Sequence, residues 1–401
     1  MQASPRRGRG RVSEEDGIQI IFSGKIKLEA CSACQLRCPS CPTTTGETRD
    51  VVGRSTLRAA DFVRLIDDNP WVGRVEISNY GEVFLNPELP AILRHAYVRD
   101  VEIQILNGAN LNHVKEEVLE DLVRYQVAGI TCSIDGASPE TYAQYRVRGD
   151  FDRVIANIRG INAHKQAQRS ALPRLIWQFV AFGHNQHEIG AARALAQELG
   201  MKFVVKLSWD SSLSPVTDTA AVRAAAGAAS REEHLAETGR DYMQGICADL
   251  WQSPQINWDG KVLGCCRNFW QEFGGNAFRD GLIVSLNGEK LGYARAMLSG
   301  KAEARADVPC TACAVYQSRR AKQDWLNPPA PVARGDRALA EAWSRAAAAG
   351  AAGKIEDAAA WSRVVLQLAP GHHDALLVLA EHAKRRGRDA AAEYYRGKAE
   401  A

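Results

Sequence analysis

Along the first half of the chain, short runs rich in apolar and β-branched residues alternate with longer segments in which apolar residues recur at helical spacing. The short runs predict strands over 26–30, 75–79, 101–106, 129–134, 175–182 and 203–207. The longer segments predict helices over 56–68, 87–98, 114–125, 151–164 and 188–199. Six βα units in succession predict an α/β fold with a parallel sheet, open or curled into a partial barrel. Its functional site is expected at the carboxyl ends of the strands.

The pattern changes after residue 210, which ends a first unit that we expect to span 18–210. Residues 211–244 are rich in Ala, Ser and Thr and predict a linker with some helix. Residues 245–330 predict a small α+β unit, because Trp258-Asp259-Gly260 and Asn287-Gly288 lie between strand-like runs and favour hairpins. Prolines mark the end of this unit, and the basic segment 1–17 is expected to be a disordered tail.

Residues 336–401 are rich in alanine and predict an all-α tail with an internal repeat. Gly353 and Gly387 lie 34 positions apart, and Ala358 matches Ala392 at the same spacing. This period resembles tetratricopeptide repeats, of which about two copies fit. Two interpretations stay open, a helical hairpin that braces the rest of the chain and a module that binds a protein partner or a second copy.

Composition and charge exclude several classes of protein. Hydrophobic residues make up 46% of the chain, which is enough for a real core, and 50 Lys and Arg against 47 Asp and Glu leave a formal charge of +3. This balance does not call for a nucleic-acid partner. No apolar run is long enough to span a membrane and no signal peptide is recognisable, so we expect a soluble, cytoplasmic protein.

Cysteines are the most informative residues. The chain has 10, and they form two groups with one member between them: Cys31, Cys34, Cys38, Cys41; Cys132; Cys247, Cys265, Cys266, Cys310, Cys313. In a reducing compartment such clustering indicates metal binding or catalysis rather than disulfides.

The first group contains Cys34, Cys38 and Cys41 with C-x3-C-x2-C spacing. Three thiolates on one loop can hold three irons of a [4Fe–4S] cube and leave the fourth iron open. This spacing resembles the radical S-adenosylmethionine (radical SAM) superfamily. Three later stretches resemble its motifs in the expected order: Tyr80-Gly81-Glu82, Leu106-Asn107-Gly108, Ser133-Ile134-Asp135-Gly136.

The resemblance implies a partial (β/α)6 TIM-like barrel that uses a [4Fe–4S] cluster, S-adenosylmethionine and a reductant such as flavodoxin or ferredoxin. It assigns the cofactor contacts to Gly81, Glu82, Asn107 and Ser133. Ser133 has the alternative of satisfying a strand end, and Asp135 is expected to form a turn. Cys31 is expected to be a bystander and Cys132 to pack in the core.

The second group offers four thiolates, Cys247, Cys265 or Cys266, Cys310 and Cys313. Spacing alone leaves zinc and Fe–S clusters both open. The surrounding sequence resembles the SPASM/twitch region of radical SAM enzymes, and its shorter twitch form implies one auxiliary [4Fe–4S] cluster. Twitch spacing favours Cys265 over Cys266.

The resemblance implies an oxidoreductase that cleaves S-adenosylmethionine to a 5′-deoxyadenosyl radical and abstracts hydrogen from a small polar metabolite. Dehydrogenation or dehydration of a sugar-like or aminocyclitol-like alcohol is the leading expectation, with the auxiliary cluster as an electron relay. The alternative is a maturase that modifies a ribosomally made peptide. A third class, a metal-stabilised scaffold without catalysis, would leave the cofactor motifs without a purpose.

Overall fold

A computed structural model describes residues 24–327 and 336–401 of the chain. The predicted tail 1–17 and the prolines at 328–331 lie outside the described residues. Within these ranges eight strands form one sheet: β1 (Lys25–Leu28), β2 (Arg74–Glu76), β3 (Glu102–Ala109), β4 (Gly129–Ser133), β5 (Arg174–Ala181), β6 (Lys202–Leu207), β7 (Gln255–Ile256) and β8 (Val262–Gly264). Their order is β6-β5-β4-β3-β2-β1-β7-β8, and all neighbours are parallel except β7 and β8.

Helices connect the six parallel strands in chain order, as the hydrophobic spacing predicts. They are α1 (Pro42–Thr45), α2 (Ala59–Asp68), α3 (Leu89–Val98), α4 (Glu116–Arg124), α5 (Pro139–Tyr145), α6 (Phe151–Ala167) and α7 (Ile189–Glu198). Each predicted strand and each of the five predicted helices has a counterpart with ends shifted by a few residues, and the α/β class with a partial barrel is confirmed. The short helices α1 and α5 were not predicted.

The two faces of the sheet differ in chemistry. Side chains alternate along a strand, so Trp177 and Phe179 of β5 pack into the hydrophobic core while Gln178 points to the other face. Lys27 of β1 and Gln104 of β3 are likewise buried polar residues between apolar neighbours. We call the face that carries Lys27, Gln104 and Gln178 the inner face. Parallel strands are usually apolar on both faces, so the buried polar residues distinguish the inner face from the apolar core on the other side.

The hairpin predicted at Trp258-Asp259-Gly260 is confirmed, since these residues join β7 to the antiparallel β8 and Gly260 has φ +88°. The hairpin predicted at Asn287-Gly288 is wrong, because these residues separate two helices. The Asn287 side chain donates to the Ile283 carbonyl at 2.9 Å and ends the first of them. An Asn-Gly pair suits a helix end as well as a tight hairpin.

Six further α-helices lie between β6 and residue 327, where the first described range ends. They are α8 (Thr219–Ala226), α9 (Arg231–Thr238), α10 (Asp249–Gln252), α11 (Leu282–Leu286), α12 (Glu289–Leu298) and α13 (Ala314–Lys322). No helix in the described part of the chain is both long and apolar enough to cross a membrane.

The sheet curls until its two edges approach each other. Lys206 of the edge strand β6 lies within Coulombic range of the Cys266 thiol, which follows the opposite edge strand β8. The Arg231 guanidinium donates to the Leu207 carbonyl at the end of β6. Arg231 also lies within Coulombic range of Arg267, which follows β8. Side chains from the two edges of the sheet therefore approach each other on the inner face.

The C-terminal helices form two antiparallel pairs, α14 (Asp336–Ala351) with α15 (Ile355–Leu368) and α16 (His373–Arg385) with α17 (Asp389–Glu400). Gly353 and Gly387, the repeated glycines, both have φ +70° in the turn within each pair. The helices are docked on α3, where the Tyr395 hydroxyl donates to the Arg99 carbonyl at 3.0 Å.

Asp100, which follows α3, holds the docked helices by charge. Its carboxylate is fully buried and lies 2.9 Å from Arg386, 3.0 Å from His382 and 3.2 Å from Arg388. Burial opposes ionisation, but His382 and the arginines outweigh it and lower the pKa of Asp100. The docked arrangement agrees with the brace interpretation, and partner binding by these helices stays a prediction.

Candidate active site

The first cysteine loop begins three residues beyond the bridge at Cys31, at the carboxyl end of β1. The Cys41 amide donates to the Cys38 carbonyl at 3.1 Å, and Cys41 then serves as the N-cap of α1, where Pro42 fits the first helical position. This tight turn brings Cys38 and Cys41 together, and Cys34 joins them across the loop.

The three thiols face one another in a small apolar cluster built by Leu36, Tyr145, Val180 and Phe182. Burial raises the pKa of Cys34 to about 12, and Glu82 with the neighbouring Cys38 and Cys41 adds to the shift. A buried thiol beside other thiols resists ionisation until a cation compensates the charge. A bound iron cluster would supply that charge.

Besides the adjacent Gln35, two polar side chains from distant parts of the described chain contact these thiols, and the sequence did not predict either contact. Arg146 lies 3.7 Å from the Cys38 sulfur and donates to the Asp135 carboxylate at 2.7 Å. The side-chain amide of Asn110 lies 3.7 Å from the Cys34 sulfur. Arg146 follows the stretch Ser133–Gly136 by ten residues, which is a signal that could have found it, whereas nothing in the local sequence singles out Asn110.

Asp135 acts as a positioning residue rather than only a turn-former. It is fully buried, and besides holding Arg146 it accepts the Val180 amide at 2.7 Å. Its burial raises the pKa of the carboxyl, and Arg146 opposes that rise. The buried pair thus fixes the direction from which Arg146 approaches Cys38.

Gly81 lies directly on the cysteine loop. A Cβ atom at this position would come within 2.3 Å of the Cys31 carbonyl and 2.6 Å of the Ala33 carbonyl, so no other residue fits. The next residue, Glu82, donates its amide to the Ala33 carbonyl at 2.8 Å. The turn predicted to contact the cofactor is therefore bound to the loop that carries the thiols.

The Glu82 side chain points inward and is almost fully buried. Its carboxylate accepts hydrogen bonds from the backbone amides of Asn110 at 2.6 Å and Phe84 at 3.4 Å. Burial raises the pKa of Glu82 to about 7, and these two amides limit the rise. Glu82 consequently joins the loop after β2 to the loop after β3, which carries Asn110.

Asn107 and Ser133 lie at the ends of β3 and β4. The side-chain amide of Asn107 donates to the Ser78 carbonyl at 3.0 Å and connects β3 to the loop after β2. Ser133 is opposite Gln178 in the sheet, and the Gln178 side-chain oxygen is buried with no hydrogen-bond partner among the described residues. Gly108, with φ +122°, leaves room beside the Ser133 hydroxyl. An orphaned polar atom at this place fits a bound polar ligand.

The remaining cysteines of the first half have structural surroundings. Cys132 is fully buried in the main hydrophobic core on the face opposite Ser133. Cys31 pairs its backbone with Thr56, and its thiol contacts the Ala33 carbonyl at 3.4 Å.

The second group of thiols assembles from three separate parts of the chain. Cys247 precedes α10, Cys265 follows β8, and Cys310 with Cys313 lies in the turn before α13. After burial, the largest influences that raise the pKa of Cys310 are Cys247 and Cys313. Cys310 and Cys313 also raise the pKa of Cys265, so the Cys265 thiol lies within Coulombic range of both. These four thiols therefore lie in one neighbourhood.

Cys266 points away from this group. Its sulfur lies 3.5 Å from the Lys27 ammonium and 3.9 Å from the Asp249 carboxylate, and Lys27 and Asp249 form an ion pair at 2.6 Å. The surroundings thus favour Cys265 over Cys266 as the member of the second group.

Neither group is arranged around a single ion. In residues 24–327 and 336–401 no three His, Cys, Asp or Glu side chains lie where they could hold one metal ion. In a [4Fe–4S] cube each thiolate binds a different iron, so its cysteines need not converge on one point. The donor set of three clustered thiols fits such a cube.

Comparison with known proteins finds a family model that matches the part of the chain with the first cysteine loop. A family model described as the Radical SAM superfamily matches residues 28–168. An AdoMet-dependent heme synthase from Methanosarcina barkeri is 28% identical over 177 residues, which is 44% of this chain and 47% of that protein. The chain thus matches about half the length of this curated relative.

The fold resembles solved structures of SuiB from Streptococcus suis. The structure of SuiB bound to S-adenosylmethionine has a TM-score of 0.53 at 14% identity and covers 74% of this chain and 72% of that one. SuiB bound to its precursor peptide SuiA gives 0.51 at 13% identity, over 75% and 71% of the two chains. Residues 28–168, which include the first cysteine loop, thus match the Radical SAM superfamily, and the fold of the chain resembles that of SuiB.

Proposed function

We propose that this protein is a radical SAM oxidoreductase that abstracts hydrogen from a small polar metabolite at the inner face of the sheet. A single observation carries the proposal. Lys206 lies within Coulombic range both of Asp135, which holds Arg146 against Cys38, and of Cys266, the neighbour of Cys265. Residues adjacent to both groups of thiols therefore approach Lys206 on the inner face of the sheet.

The superfamily implies a [4Fe–4S] cluster and S-adenosylmethionine. Cys34, Cys38 and Cys41 would hold three irons of the cluster and leave the fourth iron for the cofactor. Together these groups supply one-electron cleavage of a carbon–sulfur bond and the radical that removes a hydrogen atom from substrate. Catalytic power in such enzymes depends on what the protein does around this chemistry.

The chain's own residues position and shield the reaction. Leu36, Tyr145 and Phe182 surround the thiols with apolar contacts that exclude water. We propose that the backbone at Gly81 and the Ser133 hydroxyl contact the cofactor. Glu82 and Asn107, whose side chains are already bonded to backbone groups, hold the contacting loops in place.

The second group would serve as an electron relay. Cys247, Cys265, Cys310 and Cys313 would ligate every iron of an auxiliary [4Fe–4S] cluster, so substrate could not bind to it directly. Loss of one hydrogen atom from an alcohol carbon leaves a substrate radical, and loss of a proton and one electron then gives a carbonyl. The relay would accept that electron, which balances the dehydrogenation.

The test is 5′-deoxyadenosine formation by anaerobically reconstituted protein. Sugars, sugar acids and sugar phosphates deuterated at alcohol carbons are added one at a time with reductant. With the true substrate, 5′-deoxyadenosine should form faster than without any added compound and should carry deuterium. The deuterated alcohol carbon of the substrate should become a carbonyl. A Cys265→Ala variant should keep S-adenosylmethionine cleavage without substrate but lose carbonyl formation. Carbonyl formation at an unchanged rate in this variant would contradict the relay.

Peptide maturation is the second candidate. The fold likeness to SuiB extends over 74% of the chain and so beyond the matched segment 28–168. SuiB has been crystallised with a precursor peptide. Stimulation of 5′-deoxyadenosine formation by peptides alone, with none by small alcohols, would replace the leading proposal with this one.

A further inference from the structure

Gln178 carries a buried carboxamide on the inner face of β5. The residue is 8% exposed, and its side-chain oxygen is fully buried. Neither the oxygen nor the nitrogen of this carboxamide forms a hydrogen bond to another residue within 24–327 or 336–401. Burial of a polar group without a hydrogen bond costs free energy, and native structures rarely leave one unsatisfied. We therefore expect a bound molecule to complete the hydrogen bonds of Gln178.

The register of the strands places two hydroxyl groups beside this carboxamide. Ser133 of β4 is directly opposite Gln178, and neighbouring strands lie about 4.8 Å apart. Thr131 precedes Ser133 by two residues and lies about 7 Å farther along β4 on the same face. Its neighbours Ile130 and Cys132 pack in the core on the opposite face.

The hydroxyls of Thr131 and Ser133 resemble Gln178 in lacking a partner. Both residues are almost fully buried, and in the described part of the chain neither hydroxyl forms a hydrogen bond. Because direct and diagonal neighbours on adjacent strands are only about 5–8 Å apart, the three side chains lie within the span of one small ring. Their position follows from the pairing of β4 with β5.

This polar surface begins next to the first group of thiols. Val180 follows Gln178 by two residues, so both side chains point to the inner face. Val180 packs in the apolar cluster that contains Cys38. One step of two residues along a strand measures about 7 Å. A molecule bound to Gln178 would therefore lie beside the place where hydrogen abstraction is proposed.

We propose that Gln178 and Thr131 bind two adjacent hydroxyl groups of the substrate. A carboxamide and a hydroxyl each donate and accept hydrogen bonds, as the hydroxyl groups of a substrate do. The inference rests on the proposed function and narrows its substrate class to compounds with at least two neighbouring hydroxyls, such as a polyhydroxylated ring. Ser133, which is closer to the thiols, stays available for the cofactor.

The experiment measures ligand binding by reconstituted protein loaded with S-adenosylmethionine in the absence of reductant. The probes are myo-inositol and D-glucose, which are rings with several adjacent hydroxyls, and cyclohexanol, which has a single hydroxyl. Binding is followed by calorimetry under anaerobic conditions. We expect saturable binding of at least one of the two polyols. Cyclohexanol should bind at least about tenfold more weakly, because it lacks the second hydroxyl.

Two variants remove the proposed contacts one at a time. Gln178→Leu removes the carboxamide and Thr131→Val removes the hydroxyl, and each should weaken polyol binding about tenfold or more. Gln197→Leu is the matched control, because Gln197 is exposed on α7, the helix that connects β5 to β6. It should bind the polyol with the affinity of the natural protein.

Denaturant unfolding without polyol separates a binding role from a structural one. Because the Gln178 carboxamide has no partner among the described residues, Gln178→Leu should unfold at the same or a higher denaturant concentration than the natural protein. A lower midpoint would give the carboxamide a structural role and overturn the proposal. Loss of S-adenosylmethionine binding in Gln178→Leu would assign Gln178 to the cofactor and overturn it as well.

The binding measurements can also contradict the proposal directly. It would be wrong if the natural protein bound neither polyol, or if it bound cyclohexanol as tightly as the polyol. Equal polyol affinity in Gln178→Leu or in Thr131→Val would exclude the proposed pair.

Failure of this inference is distinguishable from failure of the proposed function. The natural protein is also assayed for 5′-deoxyadenosine with reductant and without added substrate. Cleavage of S-adenosylmethionine without polyol binding overturns the hydroxyl site alone. No cleavage overturns the radical function itself.

Discussion

The two groups of thiols reach similar arrangements by different routes. Cys34, Cys38 and Cys41 lie within eight residues, and one tight turn capped by α1 brings them together. Cys247, Cys265 and the Cys310–Cys313 turn come from separate parts of the chain, and the curl of the sheet joins them. The first arrangement is encoded locally and the second depends on the whole fold. Disturbing one should therefore leave the other in place.

Loss of a cysteine in the first loop should have the largest effect. Cys34→Ala, Cys38→Ala and Cys41→Ala each remove one iron ligand, so 5′-deoxyadenosine formation should fall by about a thousandfold or more. About four irons per chain should remain at the second group. Iron analysis and product chromatography measure both outcomes.

Cys31→Ala is the matched control, because Cys31 is buried beside the same loop and has no assigned ligand role. It should keep the activity and the iron content of the natural protein. Persistent S-adenosylmethionine cleavage in the three ligand variants, or its loss only in Cys31→Ala, would show that the ligands are misassigned.

The second group offers a sharper pair, since Cys265 and Cys266 are neighbours in sequence with different surroundings. Cys265→Ala should lose about four of about eight irons, because Cys265 faces Cys310 and Cys313. Cys266→Ala should keep them, because its thiol faces Lys27 and Asp249. Iron content and the Fe–S absorption band decide, and the reverse result would exchange the two assignments.

What the sequence predicted follows the same division. The six strands, their helices and the three-cysteine loop depend on local spacing, and the structure has them close to where they were expected. The contact of Asn110 with Cys34 and the pairing of Lys27 with Asp249 join residues far apart in sequence. Local patterns carry no information about such contacts. Asn287-Gly288 failed for a related reason, since its neighbours decide between a hairpin and a helix end.

Each group of thiols has an arginine that provides a further comparison. Arg146 contacts Cys38 and is held by Asp135, while Arg319 interacts with Cys247 and is held by Asp324 at 2.7 Å. A nearby cation stabilises the reduced, more negative form of an iron–sulfur cluster. Arg146→Gln should therefore lower the reduction potential of the first cluster and slow 5′-deoxyadenosine formation about tenfold.

Arg319→Gln is the counterpart and should lower the potential of the second cluster only. Redox titrations followed by electron paramagnetic resonance distinguish the two clusters. A change in both potentials from one substitution would mean that the two groups are coupled rather than independent. Unchanged potentials in Arg146→Gln would limit Arg146 to packing.

The smallest expected effect concerns Glu29 and Tyr80, where the loop after β2 contacts the residues beside the second group of thiols. Tyr80 donates its amide to the buried Glu29 carboxylate at 3.0 Å and its hydroxyl to the Asn268 carbonyl at 2.7 Å, close to the second group. Burial raises the pKa of Glu29 to about 8 from an ordinary 4.5, although the Tyr80 and Gly81 amides oppose the rise. Between about pH 4.5 and pH 8 the folded protein therefore holds a proton on Glu29 that the unfolded chain has lost.

This difference in bound protons has a definite sign. Between about pH 4.5 and pH 8 the folded state binds one more proton at Glu29, so the free energy of unfolding should fall as the pH rises, by about 1 kcal/mol per unit. Glu82, whose pKa is raised to about 7 beside the first group, adds a similar slope only below that pH. Between pH 7 and pH 8 Glu29→Gln should therefore remove the slope, and the exposed Glu140→Gln should not. Anaerobic denaturant unfolding at pH 7 and pH 8 measures the difference. A slope of the same size in Glu29→Gln over this interval would assign the titration to a group other than Glu29.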